Sequence, residues 1–214
     1  MAISTLSVGA HNAFTAQYGG DANFNGSTSG SYLHIVSTAN TTTSQASAPN
    51  PSTFGQSVTF MATLSGVATY VSPTLAARTY TVSATNRGDS NFNGSAASTI
   101  NQVVNEANTT TIVVSSLNPA PVTRLITFTA TIATVAPGVG TSTGVVTFTI
   151  DGVTVGVPAL SGGVAIYSTA VLTAGTHTVS ATYGGAANYN GSTGVLTPSQ
   201  IVSKYRIFLP LVRR

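Results

Sequence analysis

Histidine is the side chain best suited to acid–base chemistry near neutral pH. The chain contains three of them: His11, His34 and His177. They lie on predicted strands of different repeats or on different strand faces, without a second histidine or a carboxylate at metal-ligand spacing. No nucleophile-elbow phrase is present, and the aspartates occupy predicted turns. We therefore predict corner or surface histidines, no catalytic residue and no enzymatic activity.

Metal and covalent chemistry are equally poorly supported. The acidic residues are dispersed: Asp21, Asp89, Glu106 and Asp151. Calcium needs six to eight oxygens, whereas the phrase Gly-Asp-Xaa-Asn offers one carboxylate and its third copy has Ala186 instead. This favours a turn-forming role for the aspartates. The absence of cysteine excludes disulfides and thiolate chemistry, and the only lysine, Lys204, lies beyond the strands, which excludes an isopeptide cross-link. We predict no cofactor and no metal.

A repeated loop carries an aromatic ring in each of its three copies. The rings are Phe24, Phe92 and Tyr189, each followed by Asn-Gly-Ser. Such a ring could stack on a carbohydrate, or it could pin the loop onto the end of its own domain while Asn-Gly supplies the turn. The pinning role is favoured, and the three rings remain the candidate ligand contacts of this chain.

The composition excludes several classes of protein. Of the 214 residues, 42% are apolar and only 5% are charged, with Thr, Ser, Gly, Val and Ala dominant. The net charge of +3 arises from the last eleven residues, because residues 1–203 hold three arginines and four acids. Without a basic cluster we predict no nucleic-acid partner. No apolar stretch is long enough for a transmembrane helix, and no signal peptide is visible.

Internal repeats organise the chain. One phrase occurs at residues 18–27, 86–95 and 183–192, and a second at 50–64 and 118–132. In the second phrase apolar residues alternate with threonine, which is typical of a half-buried strand. Strands at 109–115, 124–133, 144–150, 153–158, 163–169, 175–183 and 193–202 are predicted for the last repeat. Short strands separated by turn signals indicate an all-β fold of tandem immunoglobulin-like sandwiches, one complete and one or two incomplete.

The repeats predict four segments: 1–38, the C-terminal part of a repeat; 39–105, a shortened repeat; 106–203, a complete sandwich; and 204–214, an apolar and basic tail. The shortened repeat lacks 29 residues, so that Leu64 leads directly into the strand that is fifth in the complete repeat. Its opposite sheet loses the central strand, which predicts an open core.

Local signals predict finer features. Asp151-Gly152 between apolar runs indicates a type I′ hairpin turn. His177 and Tyr80 occupy the place of a corner tyrosine, whose polar end bonds nearby backbone. Arg78 replaces the glycine that precedes this corner elsewhere, which predicts local backbone strain. One extra residue near His11 predicts a β-bulge.

These phrases together resemble the bacterial Ig-like repeat domains that occur in strings on secreted and surface proteins. The matching features are the Thr-Thr-Thr openings at 41–43 and 109–111, the Asn-Pro turns, Gly-Val-Ala-Ile-Tyr, and Ala-Gly-Thr-His-Thr-Val-Ser-Ala-Thr-Tyr-Gly-Gly. The resemblance implies a structural spacer or adhesion array in an extracellular or cell-surface protein, with further repeats of a longer parent chain as neighbours. It also implies cell-surface polysaccharide or protein as a partner.

Two alternatives remain open at this stage. The chain could be a carbohydrate-binding accessory module of a secreted enzyme, using the three aromatic rings, or a decayed gene product without a selected function. The tail 204–214 predicts a sorting signal or a merely adhesive end with equal weight. The chain is expected to be the C-terminal fragment of a larger exported protein.

Overall fold

The computed structural model describes residues 5–64 and 66–204, and every regular element in those ranges is a β-strand. The predicted tail lies outside the described residues apart from Lys204. The chain forms two compact units. The first comprises Met1–Ala46, Phe60–Tyr70 and Thr81–Asn101, and the second comprises Ser47–Thr59, Val71–Tyr80 and Gln102–Arg214. Residues 106–203 thus belong entirely to the second unit, whereas 39–105 contribute to both.

The part of the chain before residue 106 forms short strands. They are β1 (Gly9–Phe14), β2 (Gln17–Tyr18), β3 (Ser27–Thr28), β4 (Tyr32–Val36), β5 (Ser44–Ala48), β6 (Ser52–Thr53), β7 (Val58–Thr63), β8 (Val67–Ser72), β9 (Arg78–Val82), β10 (Thr85–Asn86), β11 (Ser95–Ala96) and β12 (Ile100–Asn105). Their sheets are β1-β4, β2-β3, β10-β11, β5-β7-β8 and β6-β12-β9. The register of β1 against β4 shifts between His11 and Phe14, which confirms the predicted bulge.

The remaining strands build a sandwich. They are β13 (Thr109–Ser115), β14 (Ala120–Pro121), β15 (Ile126–Thr134), β16 (Val146–Ile150), β17 (Val153–Gly156), β18 (Val164–Thr169), β19 (Gly175–His177), β20 (Val179–Tyr183), β21 (Ser192–Val195) and β22 (Gln200–Ser203). They form the sheets β13-β15-β18, β14-β22-β19 and β17-β16-β20-β21. The predicted all-β, immunoglobulin-like sandwich is confirmed.

The sandwich core follows from the alternation of apolar residues and threonine. Along β15, Ile126, Phe128 and Ala130 are buried while the threonines between them are more exposed. Phe148 of β16 and Tyr183 of β20 belong to the same core cluster and are fully buried. Residues of different sheets therefore share one interior, which provides most of the hydrophobic stabilisation.

One turn signal has the expected geometry, whereas the predicted strands 175–183 and 193–202 are each divided into two strands. Asp151 and Gly152 have φ values of 51° and 81°, which confirms a type I′ turn between β16 and β17. The single strand predicted at 193–202 is instead two strands, β21 and β22. Pro198 lies between them and has no N–H to donate to a sheet ladder, so the strand cannot continue through it.

The shortened repeat has the open core that its missing residues predict. Strands β7 and β8 are neighbours in one sheet, as are their counterparts β15 and β18. Tyr70 on β8 is 68% exposed and Val67 is 62% exposed, while the equivalent Tyr167 and Val164 of the complete repeat are half-buried. The difference arises because the shortened repeat has no strands corresponding to β16 and β17.

Candidate functional site

The structure brings together one aspartate and one histidine. Asp151 lies in the turn after β16 and His177 ends β19, and the His177 Nδ1 to Asp151 Oδ2 distance is 2.7 Å. The other carboxylate oxygen accepts the Thr178 N–H at 2.9 Å, and His177 Nε2 lies 2.9 Å from the carbonyl oxygen of Thr173. Sequence spacing did not reveal this pair, because the two residues are brought together by the β16–β20 pairing of Ile150 with Val179.

These contacts shift both ionisation equilibria. The Thr173 carbonyl, followed by the Asp151 carboxylate, raises the pKa of His177. The hydrogen bond from His177, followed by that from the Thr178 N–H, lowers the pKa of Asp151. Because both ring nitrogens are engaged, neither is available to accept a proton from a nucleophilic hydroxyl. The pair therefore links the β16–β17 hairpin to the end of β19.

The same corner contact recurs in each repeat. In each case a ring nitrogen or hydroxyl is hydrogen-bonded to the carbonyl oxygen four residues earlier. The distances are 2.9 Å for His177–Thr173, 3.1 Å for Tyr80–Ala76 and 2.7 Å for His11–Ser7. The corner role predicted for His177 and Tyr80 is confirmed. The prediction of backbone strain at Arg78 was wrong, because Arg78 is not among the residues with positive φ. Its guanidinium carbon lies 4.3 Å from the Tyr80 ring centroid, in a cation–π contact.

The remaining histidine, His34, lies opposite His11. His34 on β4 is the direct cross-strand partner of His11 on β1. Within residues 5–64 and 66–204, no group of three or more histidines and carboxylates is placed to hold a metal ion. The predicted turn role of the aspartates is confirmed: Asp21 accepts the N–H groups of Asn23 and Phe24, and Asp89 makes the equivalent bonds.

The three candidate aromatic rings have different surroundings. Phe24 is 68% exposed and Phe92 is 48% exposed, whereas Tyr189 is only 7% exposed. The Tyr189 ring packs edge-on against Phe54, with centroids 5.3 Å apart and an interplanar angle of 78°. Its hydroxyl donates to the carbonyl of Val139 at 3.4 Å. Ligand contact by these rings stays a prediction, and Tyr189 is buried because Phe54 packs against it.

The second and third aromatic loops are each hydrogen-bonded at the tip to the short linker that precedes their own repeat. Ala107 donates its N–H to the carbonyl of Asn188 and accepts the N–H of Asn190, each at 2.9 Å. The Asn190 carboxamide then donates to Asn108 Oδ1 at 2.9 Å. Ala39 and Asn40 make the equivalent bonds to residues 91–93. We call this arrangement the linker clip.

Comparison with known proteins supports the family assignment for one segment. Residues 113–202 match the bacterial Ig-like domain (group 3) family, and the predicted resemblance is thereby confirmed there. A solved structure described as "Structures of Clostridium thermocellum CbhA fibronectin(III)-like modules" aligns with this chain at a TM-score of 0.36 and 13% sequence identity. The alignment covers 79% of this chain and 100% of the other. No curated protein matches the chain significantly. Ig-like modules of this kind are typical of bacterial surface or secreted proteins.

The described residues contain no helix long and apolar enough to cross a membrane.

Proposed function

We propose that this chain is a non-catalytic spacer or adhesion array of a secreted or cell-surface bacterial protein, built from Ig-like repeats at 1–38, 39–105 and 106–203. Its neighbours would be further repeats of a longer parent chain, and its partner a cell-surface polysaccharide or protein. The observation that carries the proposal is the packed junction before residue 106, where residues of the shortened repeat meet loops of the complete one.

The junction uses both apolar and polar contacts. Phe54 packs on Tyr189, and the backbone N–H of Ala77 donates to Asn188 Oδ1 at 2.8 Å. Gly55 lies so close to the next repeat that an added Cβ would be 2.8 Å from the backbone nitrogen of Val139. An aromatic pair of this kind contributes about 0.5–1.5 kcal/mol beyond its buried area. Contacts of this type hold consecutive modules in a defined arrangement, as a spacer requires.

The linker itself is very short. Strand β12 ends at Asn105 and β13 begins at Thr109, so three residues connect the two repeats. Ala107, in the middle, is fully buried and held by the clip. A flexible linker would instead be exposed and rich in glycine or serine. This supports a mechanical role over a role that needs independently moving modules.

The junction can be tested by distance measurement, because the chain has no native cysteine. Spin labels at Thr74→Cys and Thr154→Cys, both exposed positions, would report the distance distribution across the junction by pulsed electron paramagnetic resonance. We expect a narrow distribution that broadens with Tyr189→Ala. Tyr189→Phe, which keeps the ring and loses only a long hydrogen bond, is the matched control. A broad distribution in the unsubstituted chain would refute the spacer proposal.

The exposed rings favour a second candidate function. Phe24 and Phe92 present apolar faces to solvent, as carbohydrate-stacking residues do. In a carbohydrate-binding accessory module, Phe24→Ala and Phe92→Ala should each weaken retention on insoluble polysaccharide. Because Tyr189 is covered by Phe54, its replacement should affect binding least. Absence of retention for the unsubstituted chain would remove this candidate and leave the spacer.

Export is also a proposal and has its own test. Protease treatment of intact producing cells should degrade this chain, while a cytoplasmic control protein survives. Removal of residues 204–214 should shift the chain from the cells to the medium if the tail retains it at the surface. An unchanged distribution after this deletion would eliminate the retention role, and complete protease protection would eliminate surface display.

A further inference from the structure

We propose that the linker clip protects Asn93 and Asn190 from spontaneous, backbone-assisted deamidation, and that Asn25, to which the described residues provide no clip, reacts faster in this chain. The three asparagines occupy the same place in the repeated loop. Each is exposed and is followed by Gly-Ser. Since their nearest neighbours in sequence are almost the same, differences in reactivity must come from the folded structure.

The reaction needs no enzyme and no reagent other than water. The backbone nitrogen of the following glycine attacks the asparagine Cγ, forming an N–Cγ bond. The Cγ–Nδ2 bond breaks, and the side-chain amino group leaves as ammonia with the proton from the glycine nitrogen. Water then opens the resulting succinimide at either carbonyl, which gives aspartate or isoaspartate. Glycine favours the attack because it has no Cβ to obstruct the approach.

Ring closure requires rotation of the asparagine side chain and of the peptide unit that follows it. In the second repeat both are restrained. The carboxamide of Asn93 donates to Asn40 Oδ1 at 2.8 Å, and its Oδ1 accepts the Thr38 hydroxyl at 2.6 Å. The backbone carbonyl of Asn93 accepts the Thr41 hydroxyl at 2.8 Å. Cγ therefore cannot approach Gly94 until these hydrogen bonds break.

The third repeat restrains its asparagine in the same manner. Asn190 donates from Nδ2 to Asn108 Oδ1 at 2.9 Å, and its carbonyl accepts the Thr109 hydroxyl at 2.8 Å. Its N–H is bound by the carbonyl of Ala107 at 2.9 Å. These bonds fix the side chain and the peptide units on either side of Asn190.

Among the residues that the structure describes, none restrains the first loop in this way. The residues that the structure describes provide no hydrogen bond to the Asn25 carboxamide, N–H or carbonyl. The loop is otherwise built in the same way, because the Asp21 carboxylate accepts the N–H groups of Asn23 and Phe24 as Asp89 does in the second loop. The linker clip is thus the feature that separates Asn25 from its two counterparts.

The size of the difference follows from the hydrogen bonds. If one hydrogen bond must break before the ring closes, the reaction is about two- to twelvefold slower than without that bond. With several bonds at each protected residue, we expect Asn25 to react at least about tenfold faster than Asn93 or Asn190. The product adds a negative charge to a loop that already holds Asp21.

Peptide mapping by mass spectrometry tests the proposal within one molecule. The full chain is incubated folded in mildly alkaline buffer, and the loss of asparagine at the three sites is followed, with aspartate and isoaspartate separated by chromatography. We expect Asn25 to react first in the folded chain and all three sites to react at similar rates in urea. Equal rates in the folded chain would overturn the proposal, as would the same ranking in urea.

A variant isolates the role of the clip. Asn108→Ala removes the side-chain partner of Asn190 and leaves the second loop intact, so Asn93 serves as the control in the same sample. We expect an increase of about two- to twelvefold at Asn190 alone. No change at Asn190 would show that the clip does not protect it.

Discussion

The Asp151–His177 pair should make stability depend on pH in a direction that the geometry determines. Asp151→Asn is the appropriate perturbation, because asparagine tolerates the positive φ of this turn position and can still accept the Thr178 N–H. What it removes is the negative charge facing His177. The His177 side chain is 10% exposed and that of Asp151 is 52% exposed, so solvent partly screens the interaction.

The sign of the effect is set by the histidine. Its pKa is raised by folding, so its stabilising contribution is complete below the ordinary value of 6.5 and is lost as pH rises through the folded-state pKa. For Asp151, whose pKa is lowered, the contribution is present above 3.8 and lost as pH falls through its folded-state pKa. Between these limits the pair is fully charged, and there we expect Asp151→Asn to cost about 1 kcal/mol.

The assay should follow this corner specifically, because a chain of several repeats does not unfold in a single two-state step. The imidazole proton resonances of His177 report both its titration and its unfolding in urea. In Asp151→Asn the His177 pKa should fall, because the carboxylate no longer raises it and only the Thr173 carbonyl still does. An equal loss of stability at acidic and alkaline pH would refute the reasoning.

Three further predictions concern stability. Phe128→Ala, at a fully buried position, should cost about 3–5 kcal/mol, and Phe60→Ala at the equivalent half-buried position should cost less, both measured by urea unfolding. Gly185→Ala should destabilise by about 1 kcal/mol or more, because φ is 88° and the new Cβ would lie 2.8 Å from the Tyr189 carbonyl oxygen; Gly184→Ala, with open space, is its control in thermal melts. Gln200→Ala should cost about 1–3 kcal/mol by removing the fully buried side chain that accepts from the Ser115 hydroxyl and donates to the Leu117 carbonyl, and an unchanged melting temperature would contradict this.

Much of the candidate site follows from local sequence signals. The Asp-Gly dipeptide is sufficient to predict the turn at Asp151, because few residues tolerate two successive positive φ values. The corner contact of His177 is likewise a short-range feature, between residues four positions apart. By contrast, Gln200 is fully buried and bonded to Ser115 and Leu117, a role that no local pattern of a glutamine reveals.

The sequence by itself determined most of the strands, their turns and the repeats, because alternation of apolar residues and turn chemistry act over a few residues. Only the tertiary structure decided which residues at the same position of the repeats are buried and which are exposed. Tyr189 is buried under Phe54 while Phe24 remains exposed, although the two lie in nearly the same phrase. The physical reason is that burial depends on what packs against a residue, and in this chain the three repeats differ in the strands and neighbours available to cover them.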